Sequence, residues 1–210
     1  MKGIKSIDGI LKNRGAKQFR VAIFGSARIK NNDRNYRLIY RLAKRIGKKD
    51  IDIVTGGGPG IMEAASRGHD AGSKGNGSRS LGLLIRLPRE QKANRHLDVK
   101  KEYLHFSERL DNFMTLSSAV VVAPGGLGTL LELSYAWQLM QVGQSCQIPI
   151  ILIGDMWKHF IRWSKKWQLG SKYMNREDFR SVYTVSTVEK AMKIIEDAHE
   201  RYKQSGGMPA

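Results

Sequence analysis

The stretch 119–132, Ala-Val-Val-Val-Ala-Pro-Gly-Gly-Leu-Gly-Thr-Leu-Leu-Glu, holds the residues best placed to do chemistry. Gly125, Gly126 and Gly128 bare the backbone, and Thr129 adds a hydroxyl and its own N–H where a helical pattern opens. The first turn of a helix leaves N–H groups unpaired at the positive end of the dipole, so this spacing predicts a phosphate cradle. Glu132 lies one turn further along, facing back toward the anion site. A carboxylate there adds nothing to phosphate binding and points to a reaction on a phosphorylated ligand. The spacing of Thr129 and Glu132 also fits a capping box, in which the glutamate reaches back to the cap N–H. On spacing alone, that plainer reading is the better one.

Other residues join this constellation. Gly56-Gly57-Gly58-Pro59-Gly60 fails the G-x-G-x-x-G spacing of a dinucleotide fingerprint, yet it offers a second helix start at Ile61. Gly57 and Gly58 are therefore taken as ligand-facing, while Glu63 either faces the ligand or caps its own helix. Ser26, after Gly25, is placed against phosphate or ribose. Arg109 borders an apolar stripe of Leu110, Phe113, Met114 and Leu116, which argues for a guanidinium held in place rather than solvated. Arg79, Arg86, Arg89 and Arg95 are further cations, and nothing selects one of them. The five histidines show no metal-binding spacing, and neither a G-x-S-x-G elbow nor a Walker lysine is present.

These residues need a scaffold that brings three glycine turns together. Apolar runs at 19–24, 51–55, 81–87, 103–106, 119–123, 148–153 and 182–185 read as strands. Helical periodicities fall between them, at 36–46, 61–71, 108–116, 130–142, 156–167 and 188–202. The alternation predicts an α/β fold: a doubly wound, mostly parallel, Rossmann-like sheet with helices on both faces. All three glycine turns follow strands, so they are expected on one rim of that sheet, at a topological switch point. The expected organisation is a basic extension over 1–18, a single nucleotide-binding domain over 19–203 and a flexible tail over 204–210. Residues 1–16 are expected to fray, and the polar loop 88–98 to overhang the site.

At 210 residues with 41% hydrophobic content, the chain has the size and composition of one globular domain. No apolar run approaches the ~20 residues of a membrane helix, the N-terminus lacks a signal core, and Cys146 stands alone. These features predict a cytoplasmic protein without a membrane partner. The net charge of +17 is uneven: residues 1–50 hold fifteen Lys/Arg against three Asp. Such a surface attracts polyanions, but a solubilising bias is preferred over a specific nucleic-acid role.

The segment from Pro124 to Glu132 matches the PGGxGTxxE signature and resembles the LOG family, the cytokinin-activating nucleoside 5′-monophosphate phosphoribohydrolases, many once labelled lysine decarboxylases. Ser107-Glu108-Arg109-Leu110-Asp111-Asn112-Phe113-Met114 is similar to the family's arginine segment. Thr55 to Ala64 is similar to its second glycine loop, and Val21 to Ala27 to its Gly-Ser turn. The resemblance covers roughly residues 19–155. It implies a hydrolase that splits the N-glycosidic bond of a nucleoside 5′-monophosphate, AMP or an N6-modified AMP, into base and ribose 5-phosphate, with no cofactor. It implies catalytic roles for Glu132, on the ribose hydroxyls and water, and for Arg109, which would align that carboxylate and assist the departing base. Phosphate and ribose contacts would fall to Gly125, Gly126, Gly128, Thr129, Gly57, Gly58 and Ser26. A homodimer is also implied, with Trp137 and Met140 either at its interface or in the core. The decarboxylase label is rejected, because no motif offers a pyridoxal-phosphate lysine. The alternative function is a non-enzymatic nucleotide or molybdenum-cofactor carrier on the same fold.

Overall fold

The computed structural model describes residues 5–7, 9, 18–86 and 92–207. The strands are β1 (Lys5–Ser6), β2 (Arg20–Phe24), β3 (Asp52–Thr55), β4 (Ser80–Ile85), β5 (Val99–Tyr103), β6 (Ala119–Val122), β7 (Ile150–Ile153) and β8 (Val182–Val185). The α-helices are α1 (Arg34–Lys48), α2 (Ile61–Ser73), α3 (Phe106–Leu116), α4 (Leu127–Gln141), α5 (Asp155–Ser164) and α6 (Val188–Gln204). One sheet runs β1-β5-β4-β3-β2-β6-β7-β8, and every neighbouring pair is parallel.

A parallel sheet is covered on both faces, and the sequence of β2 shows why: Val21 and Ile23 enter one core, Ala22 and Phe24 the other, and all four are buried. Helices α1, α2 and α6 pack on the first face; α3, α4 and α5 pack on the second. From β2 the chain winds outward through β3, β4 and β5. It then returns to place β6 on the other flank of β2 and winds outward again. The doubly wound α/β fold expected from the sequence is therefore present, and its switch point lies between β2 and β6.

Two expectations are corrected. A short strand was read at 103–106, but β5 occupies Val99–Tyr103 and residue 106 already opens α3. Only Val99 and Tyr103 of that strand are buried, so its intervening Lys100, Lys101 and Glu102 disguise it as loop. Residues 1–16 are expected to fray, yet among the described ones Lys5–Ser6 pairs with β5 and Ile7 is fully buried; residues 1–4, 8 and 10–16 lie outside the described residues. This short strand covers an edge that would otherwise present unpaired backbone groups. Pro88, Arg89, Glu90 and Gln91 of the expected overhanging loop lie outside the described residues.

Bare backbone sets the position of α2. At Gly68 and Gly72 an added Cβ would lie 2.2 Å from the Tyr40 carbonyl oxygen and 2.1 Å from that of Lys44, both on α1. At the far ends of the strands, Arg20 Nε donates to Asp52 at 3.3 Å, and both side chains are buried. Helix propensity alone would favour Gly68→Ala by roughly 1 kcal/mol. The α1–α2 contact reverses that sign: the variant should lose about 2 kcal/mol and melt several degrees lower by circular dichroism. A melting temperature equal to or above wild type would show that the two helices can part without cost.

Candidate active site

The three glycine turns meet at the switch point, where they line a cleft of about 680 Å³. Ser26 joins them through its main chain. Its N–H donates to the Pro124 carbonyl at 3.1 Å, and its carbonyl accepts from the Ile61 N–H at 2.9 Å. This approach requires glycine: a Cβ on Gly60, whose φ is +67°, would lie 2.4 Å from the Ser26 carbonyl oxygen. The Ser26 hydroxyl accepts from the Arg28 N–H at 3.1 Å, which leaves Arg28 on the cleft wall.

On the β6 side, α4 begins at Leu127 with Gly126 as its N-cap, and no side chain caps it. The first bond of the helix runs from the Leu130 N–H to the Gly126 carbonyl at 3.0 Å. The N–H groups of residues 127–129 therefore point back along the axis toward the cleft. Thr129 is inside the first turn rather than at the cap, so the capping-box reading of Thr129 and Glu132 does not hold. The glycines here do not serve backbone sign, since none of the three has positive φ. An added Cβ on Gly126 or Gly128 would meet nothing within 4 Å, so both present open backbone to solvent. Gly125 instead packs on Thr129, whose hydroxyl oxygen would lie 2.1 Å from a Cβ there.

Glu132 faces Arg109 across the floor of the cleft, Oε1 to Nη2, at 3.4 Å, with side-chain exposures of 13% and 8%. Arg109 is fixed from behind: its Nε donates to the Leu83 carbonyl at 2.7 Å, and its guanidinium lies 5.1 Å from the Phe113 ring centre. A hydrogen bond from the Tyr135 hydroxyl to Asp111 ties α4 to α3, the helices that carry the pair. Burial pushes the Glu132 carboxyl up to about 7, against the opposing pull of Arg109. Burial likewise lowers the pKa of Arg109, while Glu132 raises it. The result is a carboxylate that exchanges its proton near neutrality beside a fixed positive charge.

The structure brings Ser26, Gly58, Gly126, Gly128, Thr129, Arg109 and Glu132 onto one cleft. Gly57 is a correction: it is buried with φ +73°, and an added Cβ would meet Leu84 and Leu97, so it shapes the turn beneath the cleft wall. Glu63 and Arg95 do not line the cleft, Arg86 pairs with Glu102 at 2.9 Å, and Arg79 approaches Asp52 at the far end of the strands. Trp137 and Met140 are buried, and Trp137 Nε1 donates to the Asp178 carbonyl at 2.6 Å. Sequence reasoning missed Arg28, whose only signal was its place two residues after Ser26. It also missed the apolar wall of Met62, Leu84, Ile85 and Phe106, which three separate elements contribute.

A family model described as "Possible lysine decarboxylase" matches residues 51–195. The pyrimidine/purine nucleotide 5′-monophosphate nucleosidase of Escherichia coli K12 is 27% identical over 136 residues, covering 59% of this chain. The match takes in 28% of that enzyme, so the chain corresponds to less than a third of its length. Among solved structures, the X-ray structure of TM1055 is 25% identical with a TM-score of 0.66, covering 86% of this chain and 99% of that one. The molybdenum cofactor binding protein of Rippkaea orientalis shares the fold at 21% identity and a TM-score of 0.60, covering 86% and 96% of the two chains. A glycine-framed helix start with a paired glutamate and arginine at the switch point, carried by a sequence that the family model spans for most of its length, places this chain in the LOG-like family that bears the lysine decarboxylase description.

Proposed function

We propose that this chain hydrolyses the N-glycosidic bond of a nucleoside 5′-monophosphate. The observation that carries this reading is the buried Glu132 and Arg109 pair, one helical turn behind an uncapped helix start. The open N–H groups of residues 127–129 bind the 5′-phosphate, with Arg28 as an exposed cation on the cleft wall. A phosphate anchored there lays the ribose along the first turn of α4, toward Glu132. The bond to the base breaks with positive charge growing at C1′, and the ionised carboxylate of Glu132 stabilises that charge and steers a water to C1′. The water oxygen bonds to C1′, the bonding pair leaves with the base nitrogen, and the proton lost by the water is made up on that nitrogen from solvent, giving neutral base and ribose 5-phosphate. Arg109 keeps Glu132 ionised and aimed. The apolar wall of Met62, Leu84 and Phe106 receives the base. The nucleosidase name of the E. coli relative supports this chemistry. A pyridoxal-phosphate decarboxylase needs a lysine for its Schiff base, and the described residues lining this cleft include two arginines and no lysine.

Three outcomes test this reading. Incubated with a panel of nucleoside 5′-monophosphates, wild type should release free base, and Glu132→Gln should lose at least about 100-fold in kcat while nucleotide binding persists. Nucleotides bound without release across the panel would make the chain a carrier. The same substitution should stabilise the fold in a pH-dependent way. With the folded pKa about 7 and the ordinary value 4.5, Glu132 is protonated in both states at low pH. As pH rises from 4.5 to 7 the unfolded chain loses that proton more readily, so wild-type stability falls and then levels off. Glu132→Gln should therefore match wild type near pH 4 and exceed it above pH 7, by up to about 3 kcal/mol.

The acid limb of kcat/KM reports the same ionisation. It should fall as pH drops through about 7 rather than through 4.5. Arg109→Ala should move that limb upward, because Arg109 is the charge that lowers the Glu132 pKa. A limb unmoved by the substitution would detach Arg109 from Glu132. Gly56→Ala is a finer probe: its Cβ would lie 2.5 Å from Arg109 Nη2, and Gly56 has no positive φ to strain. Two side-chain ends must yield, Arg109 and Met62, whose Sδ would lie 2.7 Å from that Cβ, while no backbone is struck. The variant should therefore keep its fold with a modestly lower melting temperature and lose roughly 10-fold or more in kcat, read by steady-state kinetics beside a melt.

A further inference from the structure

Residues 158–176 contain six Lys or Arg and no Asp or Glu. In the structure this run covers most of α5, a π-helical turn at Lys165–Leu169, and the loop that leads to a 3-10 turn at Arg176–Phe179. The inner side of α5 is occupied by the core, through Trp157, Phe160 and Ile161. The outer side presents Arg162, Lys165, Lys166 and Lys172, all exposed and none with a carboxylate partner among the described residues. Among these cations stand three aromatic rings open to solvent: Trp163 at 51%, Trp167 at 54% and Tyr173 at 81% exposure.

Large rings are rarely left bare in such a cluster without something to cover them. The occupant must be anionic to suit cations that have no carboxylate partner. It must also offer flat apolar faces to suit the rings. A second copy of this face would set like charges against each other across an isologous contact. An interfacial membrane helix needs an apolar side for the lipid, and the apolar side of α5 is already buried in its own core. Duplex nucleic acid keeps its bases stacked inside and offers phosphate alone. Single-stranded nucleic acid has both features, a phosphate chain and unstacked bases. The basic outer face of α1 lacks this combination: Arg45 pairs with Glu189 at 3.4 Å and Lys49 with Glu196 at 3.0 Å, and Tyr36 is buried.

We propose that the outer face of α5 and its π-helical turn bind single-stranded nucleic acid, with phosphates on Arg162, Lys165 and Lys166 and bases stacked on Trp163 and Trp167. The sequence alone ranked a solubilising surface above such a role. The exposure of these rings among cations that have no carboxylate partner, with Lys165 5.8 Å from the Phe179 ring centre and Lys166 5.0 Å from that of Trp167, reverses that order. The face is separate from the cleft, so the inference does not depend on the proposed hydrolysis.

Fluorescence anisotropy of the full chain with labelled oligouridylate and oligothymidylate tests the proposal. Binding should be measurable at about 50 mM salt and weaken steeply toward 200 mM. Trp163→Ala and Trp167→Ala should each weaken it by roughly 10-fold, with the melt still cooperative and only a small loss in melting temperature, because about half of each side chain is already exposed. Lys165→Glu with Lys166→Glu should abolish it. The idea fails if no binding appears at low salt. It also fails if a duplex competes as well as the single strand while the Trp variants bind like wild type. Loss on Arg37→Glu with Arg41→Glu, but not on the α5 variants, would move the contact to α1 and overturn the assignment. Binding to anionic phosphatidylglycerol vesicles in place of oligonucleotides would overturn the choice of partner.

Discussion

The main chain of one residue, Ser26, holds the candidate site together. Its N–H is bonded to the turn after β6, and its carbonyl to the first N–H of α2. Through these two bonds the turns after β2, β3 and β6 become one wall rather than three loops. The geometry tolerates almost no side chain. Gly25 lies against Ile61, and Gly60 lies against Ser26 itself. Glycine here is less a source of flexibility than a condition for close approach, and the approach makes the rim rigid.

That rigidity allows Glu132 to be held in an unfavourable state. A carboxylate taken out of water and given one guanidinium at 3.4 Å is incompletely compensated, and its proton affinity rises accordingly. The partner is itself constrained by the Leu83 carbonyl and the Phe113 ring, so it cannot swing closer to relieve the mismatch. The same partial pairing that burdens the fold leaves charge available to a ligand. The cost is local, whereas the two apolar cores on either face of the sheet are extensive and can carry it.

Charge is partitioned in the molecule. The cleft is nearly balanced at its floor, where Arg109 meets Glu132, while the basic excess is displayed on outer helical faces. Near the cleft, Arg28 adds positive potential at the wall facing the helix start of α4. Under the proposed function, an anionic ligand would be drawn by the surface and held by backbone N–H groups, and only its interior end would meet a carboxylate. Placing the acid behind the cradle, rather than beside its mouth, separates binding from reaction.

The sequence by itself determined the architecture and the residues that meet in the cleft. Continuous β-branched runs ending in glycine announced buried parallel strands, and the order of the motifs put three turns on one rim. The signature around Glu132 and the register of Arg109 along its helix named the pair. Other features depended on distance in space. Whether Glu132 capped its own helix or met Arg109 hung on where α4 begins, and it begins at Leu127 rather than at Thr129. Gly57 and Gly58 are adjacent in sequence, yet one is buried under Leu84 and the other opens on the cleft. Strand β5 was hidden because only its first and last residues are buried. Local patterns record what each residue does to its own backbone. Proton affinity, close approach and the composition of a wall arise between segments distant in the chain, and only the tertiary structure brings those segments together.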